Sequence, residues 1–543
     1  MRDRAAIAIL VAVWAFSALI WLRPGVTRPD GVAYYAYLPS TYFDHDLLLF
    51  NEWQHFGMLP DGWIASEGLT PNGHLADHWT AGSAVVWYPA FIAADVLRAV
   101  VPQLHRFAAD GISLPYNVAA VSASAICGLI VLLAGYIVAR KFAPPWASLM
   151  AAIGIWFGSS LMWYSTREAL MAHAVSAAAC ALIVLASTRN EFLAAGVAAG
   201  LAFAIRPQNA TFIVVPFLIA AMPAIRKWMT IVFGFVAGAL PQLVVMFVIY
   251  GNPLILFNVL PGNAQRPWHG WHAFEHYWIW ETLFSWYHGL GAWTPLLIIG
   301  ILGFPFLLRA HRGLGAAAIL MFLVQWAANA TIDRFFWAGS SFGQRRFDNC
   351  TIFFLLGAAA LFAQLPRWLS IAIAAIASAW TMALFFAASS IDLNRYYDPD
   401  ELLRAAIQSP KKIGLLVSVP EEFKIDVLIV FAAVVIVYGL LAIAMRIRPG
   451  IVAATACIVC AIFFAICGLN DASRMDQWSV VIAKNRAVEP YSGAVHDRMA
   501  LLRDEEFYLR KTGKTTEADQ TRQEITALEK SIPSASQQPA PDL

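Results

Sequence analysis

The chain has 543 residues, 59% of them hydrophobic and only 13% charged, with a formal net charge of +2. A water-soluble protein of this size needs far more charge to cover its surface, so the composition excludes an ordinary soluble domain. No basic stripe interleaved with aromatics is present, which sets nucleic-acid binding aside.

Met1-Arg2-Asp3-Arg4 precedes an apolar run to Leu22 that superficially resembles a secretion signal. The run is long for that purpose and no small-x-small site follows it, so it reads as an uncleaved first helix with its N-terminus in the cytoplasm. Further apolar runs follow at 115–139, 146–163, 169–188, 191–205, 208–224, 228–250, 291–308, 314–332, 349–365, 368–388, 425–445 and 450–468. With 5–22 they predict an all-α polytopic membrane protein of about thirteen transmembrane helices. The stretch 83–101 is also apolar, and charge bias decides against counting it. Lys and Arg collect in short cytoplasmic loops. Thirteen helices place Arg140, Lys141, Arg189, Arg226, Lys227, Arg309, Arg312, Arg367, Arg446 and Arg448 there together with Arg2 and Arg4, whereas a further helix would move all but those two outside. The stretch 83–101 is therefore expected on the outer membrane surface, with Trp79, Trp87 and Tyr88 as an aromatic anchor.

The long polar segments then share the outer side: a first loop at 23–115 carrying juxtamembrane helices, loops at 251–290 and 389–424, and a tail at 470–543. A protein with nearly all its long loops on one face works on that face. The tail reads as two amphipathic helices, His496–Lys511 and Thr516–Ile532, with a Ser/Gln/Pro-rich end expected to be disordered. The six cysteines fall almost entirely within apolar runs, and Cys457-x-x-Cys460 reads as buried small residues rather than as a redox or zinc motif.

Ionisable groups at membrane depth cost about 2.5–3.5 kcal/mol each and normally have a task. Asp30, in Arg28-Pro29-Asp30-Gly31-Val32-Ala33-Tyr34-Tyr35, fits a general base flanked by the aromatics Tyr34 and Tyr35. It fits a helix N-cap as well, and the two roles are compatible. Asp44-His45-Asp46, with Asn51-Glu52 nearby, offers ligands for a divalent metal or simply solvated loop carboxylates. Arg167, Glu168 and His173 cluster at the outer turn between the third and fourth helices. Arg206, in Arg206-Pro207-Gln208, and Arg345-Arg346, after Gly339-Ser340-Ser341-Phe342-Gly343-Gln344, stand on the outer side against the charge bias. Guanidinium groups match phosphate geometry, and a glycine-serine turn can add backbone donors.

In their order and shared sidedness these features resemble the GT-C superfamily of membrane glycosyltransferases, whose relatives include the aminoarabinose transferases that modify lipid A and the protein O-mannosyltransferases. The resemblance spans about residues 1–470. Asp30 matches the family's catalytic Asp by position, and Pro71–Val101 with Trp87-Tyr88-Pro89 resembles its second juxtamembrane element. The strings Arg206-Pro207-Gln208 and Ser341-Phe342-Gly343-Gln344-Arg345 resemble motifs of bacterial members. One departure is Gly31, where many mannosyltransferases carry a second acidic residue.

The resemblance implies an inverting transfer of a sugar from a polyprenyl-phosphate-linked donor to a glycan, lipid or protein acceptor. The transfer would take place on the periplasmic face of a bacterial inner membrane, as part of cell-envelope chemistry. Asp30 would be the base, with Asp44, Asp46 and Glu168 as further carboxylate candidates. Tyr34, Tyr35, Arg167, His173, Arg206, Gln208, Arg345 and Arg346 would bind substrate. A divalent metal is the one cofactor the residues leave open. A 1–469 transmembrane domain would precede the 470–543 tail. The rival readings are a transporter or flippase of lipid-linked saccharides, which would favour broken central helices and internal repeats, and a ligase or polymerase with its large loop late in the chain.

Overall fold

The computed structural model describes residues 3–26, 29–58, 70, 72–77, 79–220, 225–255, 277–331, 336–389, 391–393, 395–408, 421–474, 502, 506, 509–510 and 514–531. Every regular element among them is helical. In chain order, the helices that matter here are α1 (Asp3–Trp21), α2 (Asp30–Pro39), α3 (Gly82–Val100), α4 (Leu114–Ala139), α5 (Pro145–Gly158), α6 (Leu161–Thr166), α7 (His173–Thr188), α8 (Phe192–Ile205) and α9 (Ile225–Tyr250). They continue with α10 (Arg312–Thr331), α11 (Thr351–Phe362), α12 (Arg367–Ala388), α13 (Lys424–Ala444) and α14 (Pro449–Arg474).

Among the described residues, eight helices are long and apolar enough to cross a membrane: α1, α3, α4, α9, α10, α12, α13 and α14. Shorter apolar segments accompany them, and the chain is a multi-pass membrane protein. The helix α4 is apolar all round and largely buried, as expected of the centre of a bundle. By length and composition α3 qualifies as a span, although the charge bias had placed it on the surface. The expected lipid-facing anchor is corrected. Trp79, Trp87 and Tyr88 are buried inside the protein, and the Trp87 indole N–H donates to Ser124 Oγ of α4 at 2.9 Å. A buried indole needs such an acceptor, and α4 supplies it. Of the tail, Thr515–Ser531 is helical; 496–501 and 532–543 lie outside the described residues, as do most positions of the first expected tail helix.

Several runs expected as single helices are broken. The run 146–163 divides into α5 and α6 around an extended Ser159. The run 208–224 opens as a 3-10 segment, Pro207–Val214, and 349–365 opens in the end of the 3-10 turn Arg345–Cys350. Non-helical backbone at membrane depth is tolerated where protein buries it. Ser160, Arg206, Arg345 and Asp348 all sit on these breaks.

Close packing fixes the register of α8 and α9. Gly196 and Gly200 face Gly234 and Gly238, and a Cβ at Gly200 or Gly238 would lie 2.0 Å from Phe235 O or 2.2 Å from Val197 O. Two small-x-x-x-small faces thus approach at backbone contact, the membrane solution when no hydrophobic drive separates lipid from helix. The cations assigned to the cytoplasm gather at one end of the bundle. Arg140 Nε meets Asp3 Oδ1 at 2.7 Å, and Lys141 donates to Thr188 O. Lys227 lies over the Phe192 ring, and Gly450, beside Arg448, packs on Leu193 and Ala194. Asp30, Arg206 and Arg345 lie at the opposite ends of their helices.

Candidate functional site

The site is assembled at that opposite end by main-chain contacts. Beyond α1, Arg23 N–H donates to Thr166 O at 2.7 Å, which steers the chain back over α6 before α2 begins. Pro29 occupies the cap position of α2 and makes no side-chain cap bond; Asp30 is the first helical residue. The N-cap reading is thereby corrected. The Asp30 carboxylate turns outward, and its Oδ2 accepts from Arg345 Nη1 at 3.2 Å, with both side chains partly exposed.

Tyr34, one turn on from Asp30, shares its electrostatic neighbourhood with Asp30, Arg206 and Arg345. Burial pushes its hydroxyl above the ordinary range, so the phenol stays protonated and can donate. Tyr35 does not join the site. Its hydroxyl donates to Gly111 O at 2.7 Å, and its ring packs edge-on to Phe56 and Phe91. Successive helical side chains point about 100° apart, so the pair cannot share one face.

Arg206 follows the last turn of α8, and the start of α3 docks against that end. Thr80 Oγ1 donates to Ile205 O at 2.5 Å, Ala81 N–H donates to Gln242 Oε1 at 2.8 Å, and a Cβ on Gly82 would lie 2.3 Å from Ala204 C. Pro207 cannot continue the helix, so Arg206 takes an extended conformation, φ −150° and ψ 118°. Its Nη1 donates to His173 Nδ1 at 2.9 Å. Gln208 offers its main-chain carbonyl to Gln325 Nε2 at 3.4 Å.

Arg345 is held by the loop before it. Ala338, Gly339 and Gly343 take positive φ, and a Cβ at Gly339 would lie 3.7 Å from Arg345 Nη2. Phe342 stacks on Trp163 at 4.9 Å, and its N–H donates to Tyr164 Oη at 2.9 Å. Gln344 Nε2 donates to Phe336 O at 2.6 Å, and Arg345 N–H to Gly343 O at 3.0 Å. The glycine-serine turn therefore spends these donors on its own shape and on its attachment to α6. Burial pulls Arg345 down, but Asp30, Tyr164, Glu168 and Tyr34 together leave it above its ordinary value, firmly a cation. Arg346 is within electrostatic reach of His173 and Arg206.

Glu168 is near Arg345 and Asp30, and burial pushes its carboxyl up. Arg167 feels Arg23 and Glu168. Sequence reasoning missed Asp348 and Ser160. Asp348 is buried, its Oδ2 is 3.3 Å from His173 Nδ1, and Oδ1 accepts from the Ser160 hydroxyl. A carboxylate three residues after Arg345, at the threshold of an apolar run, was the available signal.

Asp44 and Asp46 belong to a separate cluster. Asp46 Oδ1 accepts from Ser40 Oγ at 2.9 Å and Leu48 N–H at 3.2 Å, and Asp44 Oδ2 accepts from Asn51 at 2.7 Å. Glu52 is buried beside them. Asp471 of α14 closes the cluster: it accepts from Leu47 N–H at 2.9 Å and meets His74 Nε2 at 2.6 Å. His45 Nδ1 instead faces Thr41 O at 3.3 Å, and among the described residues no group of three or more His, Cys, Asp or Glu is arranged to hold a metal ion.

No family model and no curated protein matches the chain. Among solved structures it is similar to ArnT from Cupriavidus metallidurans bound to undecaprenyl phosphate, at 14% identity and a TM-score of 0.40, over 94% of this chain and 88% of that one. The apo state of the same protein gives 15% identity and a TM-score of 0.39, over 92% and 84%.

Proposed function

We propose that this chain is a membrane glycosyltransferase that moves a sugar from a polyprenyl-phosphate-linked donor to an acceptor hydroxyl on the outer face of the membrane. The observation that carries the reading is the meeting of Asp30 with Arg345 at 3.2 Å, next to Arg206 and Tyr34, at the end of the bundle away from the clustered cations. A proton acceptor and a set of fixed cations in one partly open place are what this transfer requires.

The acceptor oxygen attacks the anomeric carbon as the bond from that carbon to the phosphate oxygen breaks. Asp30 takes the acceptor proton, and the electron pair leaves with the lipid phosphate. Arg206, Arg345 and Arg346 receive the growing phosphate charge, where preorganised cations act most strongly. A single displacement of this kind inverts the anomeric centre. The phenol of Tyr34 donates to the same phosphate. Glu168 and His173 hold the arginines in place, and Gln208, Arg167 and Tyr35 support the surrounding backbone. The prenyl chain lies between helices open to the bilayer.

Broken helices are also what a transporter of lipid-linked saccharides would use. Turnover separates the two. Purified protein incubated with a panel of polyprenyl-phosphate sugars should release free polyprenyl phosphate from one of them when an acceptor is supplied. Binding without release across the panel would favour the transporter.

A further inference from the structure

Arg206 is not idle in this structure. Its Nη1 donates to His173 Nδ1 at 2.9 Å, which requires a lone pair on that nitrogen. In the neutral ring that bond selects the tautomer with its proton on Nε2. His173 thus holds the Arg206 side chain, and it is itself buried against the Tyr164 ring at 4.4 Å.

An anion that claims Arg206 would strip Nδ1 of its donor and leave a buried acceptor unpaired, a costly state. Beside that nitrogen, at 3.3 Å, lies Asp348 Oδ2. This oxygen is buried and has no hydrogen-bond partner, while Oδ1 is taken by Ser160. A carboxylate there would set two acceptors against each other; a carboxylic acid would supply the missing O–H.

We propose that Asp348, as a neutral acid, is a positioning residue that replaces Arg206 as the donor to His173 and so releases the guanidinium to a lipid phosphodiester. This rests on the reading of Arg206 as a phosphate ligand. In the resting protein His173 holds Arg206. When phosphate binds, Arg206 turns to the phosphate oxygen and the Asp348 O–H turns to Nδ1. No net proton is exchanged as long as Asp348 already carries one. Burial raises the Asp348 carboxyl to about 7, so it carries that proton below neutrality and loses it above.

The sign follows. The phosphate-bound state needs the acid, so binding is strong below about pH 7 and weakens as pH rises, by up to about tenfold per unit for a single linked proton. The charged and titratable groups around the pair are Arg206, Arg345 and Arg346, with Tyr164 and Cys350. At their ordinary values the arginines stay charged and the buried Tyr164 and Cys350 stay neutral across this range. Glu168, raised by burial near Arg345, is the remaining candidate and is tested separately.

The probe is farnesyl methyl phosphate, a phosphodiester with no proton of its own to lose between pH 5.5 and 8.5, titrated calorimetrically onto the full chain in nanodiscs. Wild type should bind tightly at pH 6 and lose affinity above about 7, and Glu168→Gln, whatever its affinity at pH 6, should show the break at the same pH. Asp348→Asn carries an amide N–H at every pH, so it should bind tightly throughout with no break. Asp348→Ala should bind more weakly than wild type at pH 6. Ser160→Ala, which removes a bond favouring the carboxylate, should move the break upward by about one unit. A wild-type break persisting in Asp348→Asn, or one lost in Glu168→Gln, overturns the proposal. Arg206→Ala keeps the two readings apart: undiminished binding means that the phosphate site lies elsewhere, whereas weak binding there with an unchanged break in Asp348→Asn discards only the role of Asp348.

Discussion

Two clusters of acid and base lie in or against the first outer loop, and they differ in how completely they are closed. Around Asp46, Glu52, His74 and Asp471 the side chains are buried, and the bonds run between the loop and the last described transmembrane helix. Around Asp30 the carboxylate and its arginine are partly exposed, and Arg206 and Tyr34 share the same neighbourhood. Similar residues therefore build a fastening in one place and a receptive surface in the other. What separates them is solvent access: a substrate cannot reach a buried network, whereas it can reach a partly exposed ion pair.

The largest expected effect tests this contrast directly. Asp30→Asn should lower turnover by about 10²–10⁴ while leaving donor binding intact, since the amide keeps the shape but cannot take a proton. With no cap bond at this position, no helix-capping loss complicates the result. Asp44→Asn and Asp46→Asn, assayed side by side, should retain turnover; a loss at either equal to that of Asp30→Asn would erase the distinction between the clusters.

Next in size, Arg345→Ala and Arg206→Ala should each weaken donor binding by about tenfold to a hundredfold, the worth of a hydrogen bond to a charged group. Lysine should recover only part of this, because it lacks the guanidinium fork. Equilibrium binding of a polyprenyl-phosphate sugar gives the answer, and normal binding by both alanine variants would place the phosphate elsewhere.

On the closed side, Asp471→Ala should cost stability rather than chemistry. It removes acceptors from Leu47 and His74, about 1.5–3 kcal/mol for each charged hydrogen bond. The melting temperature in detergent should fall, with KM for the donor unchanged in the folded fraction. A selective rise in KM would instead connect this cluster to the site.

The smallest effect is a pH dependence. Burial pushes Glu52 well above the ordinary carboxylate range. A carboxyl raised in the folded state binds its proton more tightly there than in the unfolded chain. Stability is then fully present below the unfolded value of about 4.3 and is lost as pH rises toward the folded value. Glu52→Gln should therefore melt within a degree of wild type in acid and about 1–3 °C higher at pH 8. Equal melting temperatures at both pH values would mean that Glu52 is not buried as a carboxyl.

Much of this was legible along the chain. Apolar runs showed where helices form, because hydrocarbon admits no unpaired backbone. Charge bias separated two groups of cations that the fold also keeps at opposite ends. Asp30, Arg206 and Arg345 stood out because ionisable groups at membrane depth are expensive. Proximity between distant positions was not legible. Asp30 and Asp46 are both carboxylates of the first outer loop, yet one meets Arg345 and the other Ser40 and Leu48. Tyr34 and Tyr35 are neighbours of like chemistry, and only the helical turn sends one to the site and the other to Gly111. Asp348, just before the apolar run 349–365, drew no reading from the sequence, and the break before α11 brings it to His173. Sequence fixes the local cost of each group through its surroundings in the chain; its partners depend on how breaks at Ser159, Pro207 and Arg345 turn separate helices toward one point, and that is decided only by packing.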